Sequence, residues 1–487
     1  MKRMDTKKSI FNFDNTYVKL PKVFYSPQQP DEISNPEMIL FNHELAEELD
    51  IDDSNPDLLL KILSGNSLTK GSEPISTSYA GHQFGHFTML GDGRVVLLGE
   101  HLDQVGRRLD VQLKGSGPTR YSRGGDGKST LRASLKEYIY SEAIHHLGIP
   151  SSRSLSVIRS DEKIYRQTKE DSAVLCRVMQ GFVRVGTFEF AAYFTNTEML
   201  KNFLDYTIQR FYPNLKNAEN KALALIDRVM DRQIDLIVGW MRVGFIHGVM
   251  NTDNTSITGE SFDYGPCAFM GVYKPNTVFS SIDENGRYAF GNQPAVLKWN
   301  LSRLAEALLP LIDEDEDKAV EIATSKINEF DERFKSIYRE MMLCKIGISE
   351  EENGDFELVN EFLDLMKKNK KDYTHSFNYL RLPGLYKNSD FILGAEFLKW
   401  TEKWRQRIER GTGRGAAMSL MERYNPVFIP RNYFVEEALD LAIQSDFSKL
   451  NTLLYNMKMP YWYDTEMDDS LFEPKDFDLN YKTYCGT

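Results

Sequence analysis

No run of apolar residues in this chain approaches the roughly 18 that a membrane-spanning helix needs, so no membrane segment is expected. Cysteine is scarce: four in 487 residues, Cys176, Cys267, Cys344 and Cys485, with no Cys-x-x-Cys pair. That excludes a disulfide framework and fits a reducing cytoplasm. Basic charge is not in excess either. The net charge is −12 and the pI about 5.4, which argues against nonspecific nucleic-acid binding but leaves room for a local basic pocket. The start, MKRMDTKKSIFNFDN, has Lys and Arg but no apolar h-region after them, so no secretory signal is expected. A last absence is internal. Asp263 heads an Asp-Tyr-Gly like the metal-binding Asp-Phe-Gly of protein kinases, yet no His-Arg-Asp precedes it.

Apolar residues make up 41% and charged residues 27%, an ordinary folded composition. The length suggests roughly two to four domains or subdomains. Residues 1–75 read as an N-terminal extension with a short helix over 42–49. A β-rich, glycine-rich stretch over 76–186 follows, with strands expected at 95–100, 109–114, 154–158, 163–167 and 173–179. Asp161-Glu162 reads as a hairpin turn. One helix interrupts the strands, with Ser129 as candidate N-cap and apolar residues at helical spacing from Leu131 to Leu147. From about 187 the pattern turns helical, with helices expected over 198–211, 218–243, 297–312, 317–341, 351–368 and 395–410. Residues 244–295 are irregular inside that helical part, a place to seek function. Residues 187–310 form a helical lobe with this loop, and 311–487 a helical region with an acidic tail. The expected fold is α+β, a protein-kinase-like bilobal fold with N- and C-terminal extensions.

Five groups of residues carry candidate chemistry. Lys114 ends LDVQLK on the polar face of a strand, and Glu137 lies on the helix 23 residues on. A strand lysine paired with a helix glutamate holds nucleotide phosphates in kinases; taken alone, both would be solvated surface charges. LGDGR (90–94) and RGGDGKST (123–130) are glycine-rich, and such backbone can approach phosphate. The second is no Walker A loop, because Ser122 stands where the first glycine should be. Arg177 and Arg184 could clamp a phosphate, or form ordinary ion pairs. In NTDNTSITGESFDYGP (251–266), Asp253, Asn254 and Asp263 supply hard oxygen donors for Mg²⁺ or Mn²⁺ and a candidate base, where turn chemistry alone would account for the Asp-Asn pair. Among the histidines, His82 and His86 have i, i+4 spacing but lack the glutamate of a zinc motif, His247 reads as a buttress of the loop, and His145-His146 as a helix-end pair.

Taken together, FNFDNTYVKLP, YAGHQFG, LGDGRVVLLGE, DVQLKGSGPTRYSRGGDGKSTLR, GFIHGVMNTDN, DYGPCAFM and GNQPAVLKWNLSRLAEALLPLI resemble the selenoprotein O (SelO) family over nearly the whole chain. The resemblance implies a kinase-like fold that binds ATP in a flipped orientation and transfers AMP to Ser, Thr or Tyr hydroxyls of other proteins. It implies that Gly91, Gly93, Arg94, Lys114, Glu137, Asp126, Gly127, Arg177 and Arg184 line the nucleotide site. Asp253 then takes the proton, and Asn254 and Asp263 bind Mg²⁺ or Mn²⁺. Eukaryotic members carry selenocysteine third from the C-terminus; Cys485 stands there, as in the bacterial, cysteine-containing members. A disulfide between Cys267 and Cys485 is implied too, a redox latch on the loop. Three functions stay open on the residues: adenylyl transfer, γ-phosphoryl transfer, and a nonenzymatic ATP-binding scaffold.

Overall fold

The computed structural model describes residues 9–166, 168–382, 394–463 and 481–483. Ten strands build the first half: β1 Tyr25–Pro27, β2 Glu37–Phe41, β3 Ile75–Thr77, β4 Ala80–Gln83, β5 His86–Met89, β6 Val95–Leu102, β7 Arg108–Lys114, β8 Ser129–Thr130, β9 Arg153–Tyr165 and β10 Lys169–Met179. Seven form one path, β1-β3-β6-β7-β10-β9-β2, with β8 added to β10. Both edge strands therefore come from the first 75 residues. β4 and β5 form a separate hairpin.

Strand alternation sends Leu109, Val111 and Leu113 of β7 to one face of the sheet. There they pack with helices α1 His43–Glu48 and α2 Pro56–Leu63. The opposite face carries Asp110, Gln112 and Lys114, buried against helix α3 Leu131–His146 and the second half of the chain. The α3 N-cap is Thr130, whose side chain accepts from Ala133 N at 3.1 Å. Ser129, the expected cap, is instead paired into β8 opposite Ala173. Strand β9 runs unbroken through Asp161-Glu162, where a turn was expected. Ser34 and Asn35 donate to the Asp161 carboxylate and Lys128 pairs with Glu162, so neighbouring elements satisfy the polar pair without a chain reversal. At the end of α3, burial lowers both histidines, His145 to about 4, so neither carries charge for the helix dipole at neutral pH.

The rest is helical: α4 Val185–Phe194, α5 Thr197–Phe211, α6 Lys221–Val243, α7 Gln293–Ile312, α8 Glu316–Lys345, α9 Asp355–Lys368, α10 Tyr373–Arg381, α11 Gly394–Arg410, α12 Arg414–Tyr424, α13 Asn432–Ala442 and α14 Ser448–Met457. Asn220 caps α6 through Leu223 N, and Gly244, at φ 75°, ends it. Between α6 and α7 the loop is interrupted by the short pair β11 Phe245–Ile246 and β12 Ala268–Phe269 and by two single 3-10 turns, Thr252–Asn254 and Phe290–Asn292. One apolar core runs from α3 and β10 through α6, α7 and α8 to α14. The architecture is an antiparallel-sheet lobe with one main helix, joined to a helical lobe, as in a protein kinase.

Candidate active site

Three cations and three carboxylates meet where the two lobes face each other. Lys114 Nζ lies 2.5 Å from Glu137 Oε2 and 2.8 Å from Asp263 Oδ1. Lys114 stands at the last position of β7, and Glu137 is on α3, which packs across that face. Arg177, opposite Gln112 on the adjacent strand β10, donates to Gln112 Oε1 at 3.0 Å, Glu137 Oε1 at 3.0 Å and Asp263 Oδ1 at 2.6 Å. Arg184 donates to the Asp253 backbone oxygen at 2.9 Å and to Asp92 Oδ1 at 3.3 Å, and lies 3.7 Å from Asp263 Oδ2. The two guanidinium groups stack on aromatic rings, Arg177 on Phe182 at 4.7 Å and Arg184 on Tyr79 at 4.2 Å. Burial alone would raise the Asp263 carboxyl. Lys114, Arg177 and Arg184 outweigh it and hold the group well below the usual carboxylate range.

Asp263 sits at φ 61°, a left-handed conformation that Asp tolerates better than most residues. His247 holds the preceding carbonyl, with Nε2 donating to Phe262 O at 2.9 Å, and stacks on Trp240. Asp253 lies on the far side of Arg184. Burial raises it to about 6 despite Arg184. Gln83 donates to its Oδ2 at 3.4 Å, whereas Oδ1 is buried with no hydrogen-bond partner among the described residues. Arg177 Nη2 and Arg184 Nε are likewise buried and unpaired. These unused donors and acceptor fit a site built to meet further polar atoms.

For a divalent cation the donor set is oxygen. Asp263 Oδ2 lies 3.7 Å from Arg184 and accepts no hydrogen bond among the described residues. The Asn254 amide donates through Nδ2 to Val249 O at 3.2 Å and has no bond to its side-chain oxygen among the described residues. Hard oxygen ligands suit Mg²⁺ or Mn²⁺, so these residues fit the ion. No cluster of three His, Cys, Asp or Glu residues arranged for a metal occurs among the described residues. His82 pairs with Glu189 and His86 is exposed.

The glycine-rich stretches are placed differently. Gly91, at φ 144°, packs so closely on Tyr121 that a Cβ would lie 2.3 Å from the ring. Gly93 touches the same segment. Arg94 is half-buried and makes no ion pair among the described residues. Gly127 lies against Gly117, whereas Asp126 is exposed, is held by Arg166 at 2.8 and 2.9 Å, and bonds to none of Lys114, Arg177 and Arg184 among the described residues. Sequence reasoning passed over Asp92, Gln83 and Gln112. Asp92 is buried and accepts from Thr77 N, Thr77 Oγ1 and Arg184, so it fixes the glycine loop to the arginine.

Cys267 is buried, its thiol pushed up to about 12 by burial. Cys485 lies outside the described residues. Two residues earlier, Thr483 Oγ1 donates to Pro266 O at 2.8 Å, and its backbone pairs with 279–281.

A family model described as protein adenylyltransferase SelO matches residues 8–458. The protein nucleotidyltransferase YdiU of Pelagibacter ubique is 47% identical over 480 residues, 98% of this chain and 99% of that protein. Its namesakes in Clostridium perfringens strain SM101 (47% over 491 residues, 99% and 100%) and Geobacillus kaustophilus (46% over 481 residues, 98% and 99%) are similar. Among solved structures, ROP2 from Toxoplasma gondii, described as a virulence factor with a protein-kinase fold and no enzymatic activity, aligns at 11% identity. Its TM-score is 0.23 over 69% of this chain and 87% of that one.

Proposed function

The chain belongs to the SelO family of protein adenylyltransferases, and on that premise we propose that it moves AMP from ATP onto Ser, Thr or Tyr hydroxyls of other proteins. The observation that carries the proposal is Asp253: a buried carboxylate with a pKa near 6 and a free oxygen, set beside a cluster of three cations. In the transfer, a hydroxyl oxygen bonds to the α-phosphorus, the bond from that phosphorus to the β-phosphate bridge breaks, and pyrophosphate leaves. Asp253 orients the hydroxyl and takes its proton. Lys114, Arg177 and Arg184 face the phosphates, and the unpaired Arg177 Nη2 and Arg184 Nε are the donors free to bond them. Glu137 holds Lys114 in place. Gly91, Gly93 and Arg94 line the nucleotide, with Asp126 and Gly127 at the outer edge. Asn254 and Asp263 would hold Mg²⁺ or Mn²⁺, which when bound offsets charge on the departing pyrophosphate.

Among the described residues no helix is long and apolar enough to cross a membrane; we place the protein in the cytoplasm on its cysteine usage. Thr483 anchors the tail beside Pro266, which supports the Cys267–Cys485 latch. Mild oxidation followed by mass spectrometry without reduction should yield the linked peptide, and free thiols alone would remove the latch. For the activity, the chain is incubated with ATP labelled at either the α- or the γ-phosphate. Protein labelled only by the α-labelled nucleotide is the expected result. Label only from the γ-position would make it a kinase, and none from either, with ATP bound, a scaffold.

A further inference from the structure

Between β3 and β6 the chain makes a hairpin that neither the main sheet nor the cation cluster needs. β4 and β5 are closed by Phe84 and Gly85 at φ 51° and 87°, the left-handed pair of a two-residue hairpin turn. Leu90 N donates to Tyr79 O at 2.9 Å. The register Ala80↔Met89, Gly81↔Thr88, His82↔Phe87, Gln83↔His86 continues from there. Hydrogen-bonded and open pairs alternate along an antiparallel ladder, so Ala80 and His82 on β4, and Phe87 and Met89 on β5, turn their backbone N–H and C=O groups outward. On β4 that edge is used: His82 N donates to Thr252 Oγ1 at 2.7 Å, next to Asp253. On β5 it is open, and no hydrogen bond reaches the backbone of Phe87 or Met89 from outside the hairpin among the described residues.

The same edge presents apolar surface. Phe87 is 40% and Met89 50% exposed, and Tyr193 and Phe194 at the end of α4 are 52% and 44% exposed. The Phe87 ring lies 4.9 Å from Tyr193 and 6.1 Å from Phe194. Clustered exposed aromatics mark interaction surfaces, unlike single scattered ones. No Lys, Pro, Asp or Glu guards β5, although such residues are how free strand edges are kept from pairing.

We propose that the outer edge of β5 docks the substrate protein, as an extended segment that adds a third strand to the hairpin and lays a large apolar side chain on Phe87, Tyr193 and Phe194. This rests on the adenylyltransferase function above and names how its protein substrate is held. An extended segment is the occupant because the free groups are backbone donors and acceptors at strand spacing, which a helix, with its own groups paired internally, cannot meet. The opposite edge of the hairpin is bonded to the loop carrying Asp253, so a docked segment stands on the same hairpin as the base, with β5 and β4 between them.

An array of Ser-, Thr- and Tyr-containing peptides tests this with the full chain, read once for bound protein and once for label from α-labelled ATP. Met89→Pro removes an N–H that the hairpin itself does not use, and Phe87→Ser removes the central ring. Each should weaken peptide binding about tenfold or more, a loss typical of an interface anchor, with ATP affinity unchanged; bound peptides should share a large apolar residue. Unchanged peptide binding in both variants overturns the docking edge whatever the labelling shows. A concentration-dependent dimer of the wild type that Met89→Pro abolishes would give the edge to a second copy and overturn it too. Binding that depends on both residues, with no label transferred, upholds the edge and removes adenylyl transfer.

Discussion

Burial lifts the Asp253 carboxyl from its ordinary 3.8 to about 6, while Arg184 pulls it down. A base must be ionised, so the rate of AMP transfer should climb as pH rises through about 6 and level off above. Asp253→Asn keeps the shape and removes the base. Initial rates should fall roughly 10²- to 10⁴-fold with ATP affinity retained, and the rise through about 6 should vanish. Glu260, in the same loop, is raised from 4.5 to about 7 by burial, although Thr258 and Gln180 N donate to it. A carboxyl raised on folding contributes stability that is complete below about 4.5 and lost as pH rises through about 7. Glu260→Gln cannot lose it. The variant should therefore gain on wild type across that window, by at most about 3 kcal/mol, as urea midpoints at its two ends would show. Lys114 and Glu137 were legible as a pair because strand alternation and helix position put both on one face. Asp92 was not, since the glycines around it read as a turn and its partners Thr77 and Arg184 lie 15 and 92 positions away.

The long amphipathic helices were legible to within a few residues: the spacing gives 198–211, 317–341 and 395–410 where the structure has α5, α8 and α11. Short ones such as α2 and α4 escaped, because eight to ten residues hold too few turns for a period to emerge. Helix α4 is also apolar nearly all round, which hides a face. At the glycine loop the sequence left anion binding and plain turn chemistry open, and Gly127 has a packing reason of its own. It sits at φ 65°, and a Cβ would lie 2.1 Å from Gly117 O. Gly127→Ala should therefore destabilise the chain by about 1–3 kcal/mol through backbone overlap. Chemical denaturation reads that loss directly, and a change below a few tenths would refute the tight approach.

In the helices after residue 310 the sequence shows no chemical motif, and the structure gives that region a mechanical part. Arg132, on the helix that bears Glu137, pairs with Glu436 and Asp440 of α13, the latter at 2.6 Å. The C-terminal helices thus brace α3 from behind, through contacts no local pattern could announce. The tail reaches the same neighbourhood, with Tyr481 bonded to Glu436 at 2.5 Å and Thr483 to Pro266. Removing residues 481–487 should uncover Cys267 and speed its alkylation by iodoacetamide several-fold; an unchanged rate would mean that other elements suffice to shield it. The β4–β5 hairpin bears on motion. It belongs to the sheet lobe by connection, yet its inner strand β4 is bonded to the helical lobe at Thr252, and its turn, through Phe84 N, at Asn251. The two halves are therefore riveted across their own entrance. They cannot rock apart as hinged jaws unless those rivets open first, so amide exchange at His82 and Phe84 would report the gating step directly.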